Sequence, residues 1–492
     1  MNLIVQLVIL GIIFIISSKL LRGKQQLNLN EPPLIPYKYP IIGHTFDYYR
    51  DTEKFIKKCS EEYGEIFSLY VFGKVITFVG KELYPEVFKS HKDFDFDIAF
   101  KEKFPLERFM NRPDKFFAPL PKIIFTFLSQ SLSSYAERVQ KTLIEAIDEL
   151  IGDGKVIQNP LNTFQLIIAR PIAACLVGEE FSDDKELVNT VAYATSDLVP
   201  YLSFPPFLSF IHPLLHKEFL VLYFQFYNPF KVHRDVIKRK VSPIVERRLH
   251  SMKTNKSYVP PVDILQKLIE LLSQDYTIDI DVLTDYVIVA IFAAVHTTST
   301  FLLNSLHQYA NYPQFQKELL EEQERLLKSK NGKTYYTTED IDKLVYLDSF
   351  FKETLRLSTS IVYFEHMTLN SHFTFSNGYQ VPKDRFVYIR VQEIHRDEEL
   401  QGQNPKEFNP FRHLGKSLAA HVEKNFIAFS FGKHACPGRY FAANEIKSAL
   451  HYLILNYNIK HLDDKKVYPK IKGPFRFASD EGLVLERKGN NV

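Results

Sequence analysis

The sequence predicts a mainly α-helical protein with small β-sheets, one large domain carried behind an N-terminal membrane-spanning helix. Three observations predict this fold class. An apolar run opens the chain, helical periodicity dominates up to about residue 360, and stretches with strand character are short and few. With 492 residues, 45 % of them hydrophobic, the chain has ample material for a large core. Its 42 Phe and 27 Tyr stand beside no Trp at all, which reads as a phenylalanine-rich interior and not as the surface aromatics of a nucleic-acid reader. A formal charge of +3 is too small to attract a polyanion, so nucleic acid is not an expected partner. Three scattered cysteines, Cys59, Cys175 and Cys436, argue against a disulfide framework and for a reducing compartment.

The elements follow in order. Leu3 to Ile16 is apolar apart from Gln6 and Gly11, and the run continues to Leu21. At about 1.5 Å per residue such a helix covers most of a roughly 30 Å hydrocarbon core if Lys19 snorkels. Lys19, Arg22 and Lys24 follow the run and no basic residue precedes it, the reverse of a cleaved signal peptide. By the positive-inside rule the bulk of the chain is then cytosolic behind an uncleaved anchor; a short buried terminal helix is the alternative. The expected division is an anchor over 1–22, a polar and Pro-rich hinge over 23–43, and the main domain over 44–492.

Pro32-Pro33-Leu34-Ile35-Pro36 opens a proline-dense segment that is stiff and extended, read as a spacer. Ile66 to Val79 reads as a strand pair turning at Gly73-Lys74. Leu198 to Phe226 carries only Lys217 and Glu218 as charges, and Pro200, Pro205, Pro206 and Pro213 rule out a regular spanning helix there. It is either core packing or a segment that dips into a membrane surface. Phe373 to Ile389, punctuated by Asn377-Gly378, is a second β-rich stretch.

Tyr286 to Val295 is non-polar on every face of a helix, which predicts burial all round. His296-Thr297-Thr298-Ser299-Thr300 then places five polar residues inside it. Hydroxyls in a helix bond back to the i−4 carbonyl, so Thr297 is expected to bond toward Ala293 and open the helix beside Ala293 and Ala294. His296 by itself could be a satisfied core histidine. Glu353 and Arg356 sit at i and i+3, a spacing that more often makes a solvated surface pair.

Phe429-Ser430-Phe431-Gly432-Lys433-His434-Ala435-Cys436-Pro437-Gly438-Arg439 surrounds the most informative cysteine. Gly432 permits a tight turn, Phe429 can shield the sulfur, Pro437 suits a first helical position and Gly438 lets backbone approach a flat group. Ala442, Ile446, Leu450, Leu453 and Tyr457 recur at helical spacing beyond it. A buried apolar cysteine, a zinc site shared with His434 and a catalytic thiol remain open on this loop alone.

The loop resembles the haem-binding loop of the cytochrome P450 family, with Phe429, Gly432, His434, Cys436 and Gly438 on the family pattern. Glu353-Thr354-Leu355-Arg356 resembles the family's Glu-x-x-Arg motif, and Arg412 in Phe408-Asn409-Pro410-Phe411-Arg412 resembles its later arginine partner. Ala293-Ala294-Val295-His296-Thr297 resembles the central-helix signature, with His296 at the usual acid and Thr297 at the usual threonine.

The resemblance implies the cytochrome P450 fold as a single catalytic domain, a thiolate-ligated haem b on Cys436, and a structural cluster of Glu353, Arg356 and Arg412. It implies Thr297 and His296 in proton delivery, with Phe292, Ala293 and Ala294 facing substrate. His434 and His366 stand where the family more often has propionate-binding arginines. The implied activity is insertion of one oxygen atom of O2 into an apolar small molecule, most similar to fungal microsomal members that oxidise terpenoids or sterols. Electrons are expected from NADPH through NADPH-cytochrome P450 reductase, with cytochrome b5 and membrane lipid as further partners, at the endoplasmic reticulum membrane with the catalytic domain cytosolic. A sterol 14α-demethylase-type activity, a haem-thiolate isomerase or dehydratase needing no reductase, and a non-catalytic haem or sterol carrier are the competing readings.

Overall fold

The computed structural model describes residues 28–489 apart from 203, 204, 332, 334 and 464. The expected anchor over 1–22 and the first part of the hinge lie outside the described residues. The helices of eight residues or more are α1 (Thr52–Tyr63), α2 (Phe96–Lys103), α3 (Ala136–Leu150), α4 (Pro160–Leu176), α5 (Lys185–Tyr193), α6 (Pro213–Phe226), α7 (Pro229–Thr254), α8 (Ile264–Leu272), α9 (Ile280–Asn311), α10 (Gln316–Ser329), α11 (Val345–Ser358) and α12 (Arg439–Asn456). The strands are β1 (Ile66–Val71), β2 (Lys74–Val79), β3 (Phe94–Asp95), β4 (Gly154–Ile157), β5 (Tyr363–Thr368), β6 (His372–Thr374), β7 (Gln380–Pro382), β8 (Phe386–Arg390), β9 (Tyr457–His461), β10 (Lys470–Lys472), β11 (Phe475–Phe477) and β12 (Leu483–Arg487). The chain is thus mainly helical with small sheets, as its sequence predicts, and it forms two compact units.

The first unit comprises the described residues up to 105 together with 205–222 and 363–390. Its centre is a five-stranded sheet in the order β1-β2-β8-β5-β3, in which β2 and β8 are parallel and the other pairs antiparallel. The β1–β2 register pairs Val71 with Lys74, so the turn is Phe72-Gly73, one residue earlier than the sequence reading placed it. Both residues have positive φ, 46° and 75°, as a two-residue hairpin turn requires. Gly73 is needed for a second reason: a Cβ there would lie 2.4 Å from the Ser209 carbonyl oxygen.

The proline-dense segment is not a free spacer. Ser68 N–H donates to Pro33 O at 2.8 Å and Ile35 N–H to Ser68 O at 3.0 Å, which docks it beside β1. Proline removes donors on alternate sides but leaves the carbonyls to accept, so an edge pairing of this kind survives. Between 198 and 226 the backbone runs as short helical turns, Val199–Leu202 and Phe207–Phe210, before α6, as the four prolines dictate.

The second unit holds the described residues within 106–202, 223–362 and 391–489. Its axis is α9, against which α4, α7, α11, α12 and β9 pack. Asp279 caps α9 by accepting from the N–H groups of Asp281 (2.8 Å) and Val282 (3.2 Å), and Pro313 follows its C-terminus. Among the described residues α9 is the one helix long and apolar enough to cross a bilayer, and it lies mostly buried within this unit, so it is a core helix. Asp285, buried on its first turns, accepts from Arg112 Nε and from Arg234 Nε, each at 2.6 Å. That one carboxylate ties the 106–119 stretch and α7 to the axis. The strands of this unit form the antiparallel sheet β4-β12-β9 and the hairpin β10–β11.

Candidate active site

Cys436 is held by a loop that its own backbone closes. Its N–H donates to Phe429 O at 2.8 Å, and Ser430 (φ 63°) and Gly432 (φ 66°) supply the left-handed residues that turn the chain into the short helical turn Gly432–His434. Gly438 is the N-cap of α12 and Arg439 its first residue, so Pro437 precedes the cap instead of opening the helix as the sequence suggested. Ser129 Oγ donates to Pro437 O at 2.6 Å and pins the loop to a π-helical turn, Phe125–Ser129.

The cysteine's electrostatics are mixed. Burial pushes its thiol up, while the Gly438 N–H bonded to the sulfur and the nearby Arg439 charge pull it down. Arg439 donates to Cys436 O at 2.9 Å, and its guanidinium lies over the Phe125 and Tyr440 rings at 5.4 and 4.6 Å. Burial wins and the thiol lies above its ordinary value, so only metal coordination would deprotonate it, since a coordinating thiol loses its proton outright.

α9 carries the second group of residues. Tyr286 to Ile291 is buried, but Phe292 and Ala294 are half-buried and Ala293 is exposed, so burial all round fails at the point where the polar residues approach. Thr297, one turn on, is also exposed. Its Oγ1 donates back to Ala293 O (3.0 Å) and Ala294 O (3.2 Å), yet the helix runs unbroken from Ile280 to Asn311. The expected opening of the helix does not occur, because the hydroxyl shares carbonyls that keep their helical geometry. His296 is half-buried and its Nδ1 lies 3.3 Å from Gln165 Nε2 on α4, and burial lowers its pKa. Phe292 meets the Phe230 ring edge-on at 6.1 Å, and its carbonyl accepts from Thr195 Oγ1 at 2.9 Å.

These features fit a flat group bound through one thiolate. Cys436 and Gly438 stay half-open at the head of a helix that is buried from Ala443 to His451, and Ala293 and Thr297 are open in the middle of a buried helix that packs against it. A Cβ at Gly438 would touch only Ile124 at 3.9 Å, so the protein itself leaves that space unfilled. No group of three or more His, Cys, Asp or Glu that could hold a metal exists among the described residues. A lone sulfur donor suits a metal that arrives with its other ligands, as in a haem.

Behind the loop, Glu353 is fully buried among donors. Arg356 binds it through Nε and Nη2, both at 2.7 Å, Arg412 Nε at 3.1 Å, Asn409 N–H at 3.0 Å and His413 Nε2 at 3.0 Å. Burial alone would raise this carboxyl; the bonds from Arg356 and His413 overcome it and bring the pKa down to about 2. The i, i+3 pair is therefore not a surface pair. Arg356 also reaches the carbonyls of His395 and Pro405, and Arg412 those of Gln401, Gln403, Asn404 and Glu407. His395, pushed down to about 3 by burial and then by the Arg356 charge, accepts Ile427 N–H on Nε2 at 3.0 Å while Nδ1 faces Arg356 O at 3.0 Å. One imidazole thus connects the cluster to the segment leading into the cysteine loop.

The cytochrome P450 family model matches residues 32–488. The chain belongs to the cytochrome P450 family. It is 34 % identical over 234 residues to cytochrome P450 monooxygenase 71 of Postia placenta, covering 45 % of each chain. It is 29 % identical over 380 residues to cytochrome P450 monooxygenase olcJ of Penicillium canescens, 74 % of this chain and 68 % of that one. The chain therefore spans less than half of the length of the first relative. The retinoic acid bound cyanobacterial CYP120A1 has the same fold, with a TM-score of 0.70 at 19 % identity over 94 % of this chain and 100 % of that one.

Of the residues singled out in this P450's sequence, Phe429, Gly432, His434, Cys436 and Gly438 share one loop, Phe292 to Thr297 lie within two turns of α9 with Ala293 and Thr297 on its exposed side, and Glu353, Arg356 and Arg412 make one cluster, all in the second unit. His434 is half-buried at the end of its helical turn. His366 belongs to the first unit, buried on β5 with the Phe88 and Phe96 rings at 5.3 and 6.1 Å. Sequence reasoning missed His413, His395, Arg439 and Gln165. His413 and Arg439 stand next to motif residues and were visible as neighbours; nothing in the local sequence marks His395 or Gln165, whose partners lie 32 and 131 positions away.

Proposed function

We propose that this P450 is a haem-thiolate monooxygenase acting on an apolar small molecule, with terpenoids or sterols as the substrate class. The observation that carries the reading is Cys436, a half-open sulfur that receives the Gly438 N–H and belongs to no group of three or more His, Cys, Asp or Glu among the described residues. Membership of the family and the monooxygenase names of its fungal relatives support it. Cys436 would hold the haem iron, with Phe429, Gly432 and Gly438 shaping the loop around the sulfur and His434 donating to a propionate. When bound, a thiolate-ligated haem supplies the chemistry that splits dioxygen. One oxygen atom enters a C–H bond as a hydroxyl and the other leaves as water, with two electrons from NADPH through a reductase and two protons.

The chain's own residues manage position and protons. Thr297 Oγ1, whose own proton is held by two carbonyls, would use its lone pairs to accept from and orient an ordered water as the proton carrier, and His296 beside it would hold an exchangeable ring proton. Ala293 and Ala294 leave room for the substrate, and Phe292 gives it an apolar wall. Residues 1–22 would anchor the protein in the endoplasmic reticulum membrane, with 44–492 as the cytosolic catalytic domain served by NADPH-cytochrome P450 reductase and cytochrome b5. The exposed Leu34, Tyr37, Tyr39, Ile41, Phe207, Ile211 and Leu214 of the first unit support contact with lipid.

The test is the CO-difference spectrum of the reduced protein, followed by NADPH turnover with a reductase on sterols, diterpenes and fatty acids. The thiolate signature is expected in the parent and absent in Cys436→Ala. A parent without that signature, or an unaltered one in Cys436→Ala, sinks the proposal.

A further inference from the structure

Three consecutive polar residues after α5 each reach a different helix of the second unit. Thr195 Oγ1 donates to Phe292 O on α9, Ser196 Oγ accepts from the Gln165 amide of α4, and Asp197 Oδ2 lies 3.0 Å from His233 Nε2 on α7. At the centre of this contact sits Gln165, 1 % exposed, whose Nε2 also lies 3.3 Å from His296 Nδ1. A side-chain amide nitrogen can only donate. Nδ1 of His296 is then an acceptor without a proton, and the neutral ring carries its proton on Nε2.

Burial acts in the same direction, lowering the His296 pKa with no charged group contributing. The titratable groups that the neighbouring elements bring here are Asp197 after α5 and His233 on α7, and they are bonded to each other; α4 presents only the neutral amide. A carboxylate at position 165 would do the opposite. It would accept from Nδ1–H and hold the ring as an imidazolium.

We propose that Gln165 is a positioning residue: by donating to Nδ1 of His296 it fixes the Nε2–H tautomer, so that the imidazole beside Thr297 exchanges a proton only through Nε2. Its consequence for catalysis rests on the monooxygenase reading, in which a ring proton next to Thr297 is useful. The tautomer itself does not depend on that reading.

The experiment is nitrogen-15 NMR of the full chain with labelled histidine, in the reduced CO-bound form, which is diamagnetic, with His296 assigned by its loss in His296→Asn. The parent is expected to show the neutral Nε2–H pattern at pH 7. In Gln165→Glu the resonances should convert to Nδ1-protonated imidazolium and the titration should move up by roughly one to three units. Gln165→Leu, which removes the donor without adding charge, should lose the tautomer preference without that shift. Product formed per NADPH consumed is a second readout: its pH limb should follow the His296 titration in Gln165→Glu with KM unchanged, a movement that loosened packing would not produce. An Nδ1–H pattern in the parent overturns the inference, as does a His296 titration unmoved in a folded Gln165→Glu. If that variant does not fold, the parent pattern alone decides. A protein with the expected tautomer but no turnover refutes the monooxygenase reading and leaves Gln165 in place.

Discussion

Replacing Glu353 by Gln keeps the shape of the side chain and removes its charge. The parent carboxylate has no solvent exposure, nor does Arg356, and it accepts five hydrogen bonds from four residues. Glutamine offers one oxygen and turns its NH2 group against donors. Two independent routes give the size of the effect. The fall of the carboxyl from 4.5 to about 2 corresponds, at about 1.4 kcal/mol per unit, to about 3 kcal/mol. Breaking a buried ion pair by removing one partner costs about 3 to 5 kcal/mol. The sign with pH follows from the direction of the shift: a depressed carboxyl stabilises fully above 4.5 and loses that contribution as the pH falls toward 2. Urea midpoints in detergent, read by far-UV dichroism, should show E353Q destabilised by about 3 kcal/mol or more at pH 7. Its acid-range stability curve should also be flatter than the parent's between these pH values. A variant within about 1 kcal/mol of the parent, or two parallel acid curves, would refute the assignment of this cluster as a dominant clamp.

Thr297→Ala removes a hydroxyl that bonds only carbonyls of its own helix on an exposed face, so stability should change by no more than about 0.5 kcal/mol. Product per NADPH should fall roughly tenfold or more while oxygen consumption continues, and coupled turnover at the parent level would remove Thr297 from proton delivery. Asp285→Asn leaves Arg112 and Arg234 with a neutral partner in place of a buried carboxylate, at a cost of about 2 kcal/mol. Limited proteolysis should then cut within 106–119 faster than in the parent, and an unchanged cleavage rate would show that Asp285 does not hold that stretch.

Hydrophobic periodicity and proline placement were enough for the local structure: the hairpin at 66–79, the buried long helix and the broken segment at 198–226 all follow from spacing within a few residues. These features depend on contacts between near neighbours, which a linear pattern records. The errors were of one residue or of surroundings. The hairpin turn moved from Gly73-Lys74 to Phe72-Gly73 because pairing register, not the position of the glycine alone, sets a turn. Pro437 lies before the cap because Gly438 takes that role.

The sequence by itself determined the family, the cysteine that presents a sulfur, and the order of the motifs around it, because each motif is a short run with its own spacing. Only the tertiary structure decided what those residues meet. Whether Glu353 and Arg356 were a solvated pair or a buried clamp depended on Arg412 and His413, some 60 positions away, closing over them. Whether His296 was free or held depended on a glutamine from α4. A hydrogen-bond donor leaves no trace in the pattern around its acceptor when the two are brought together only by packing.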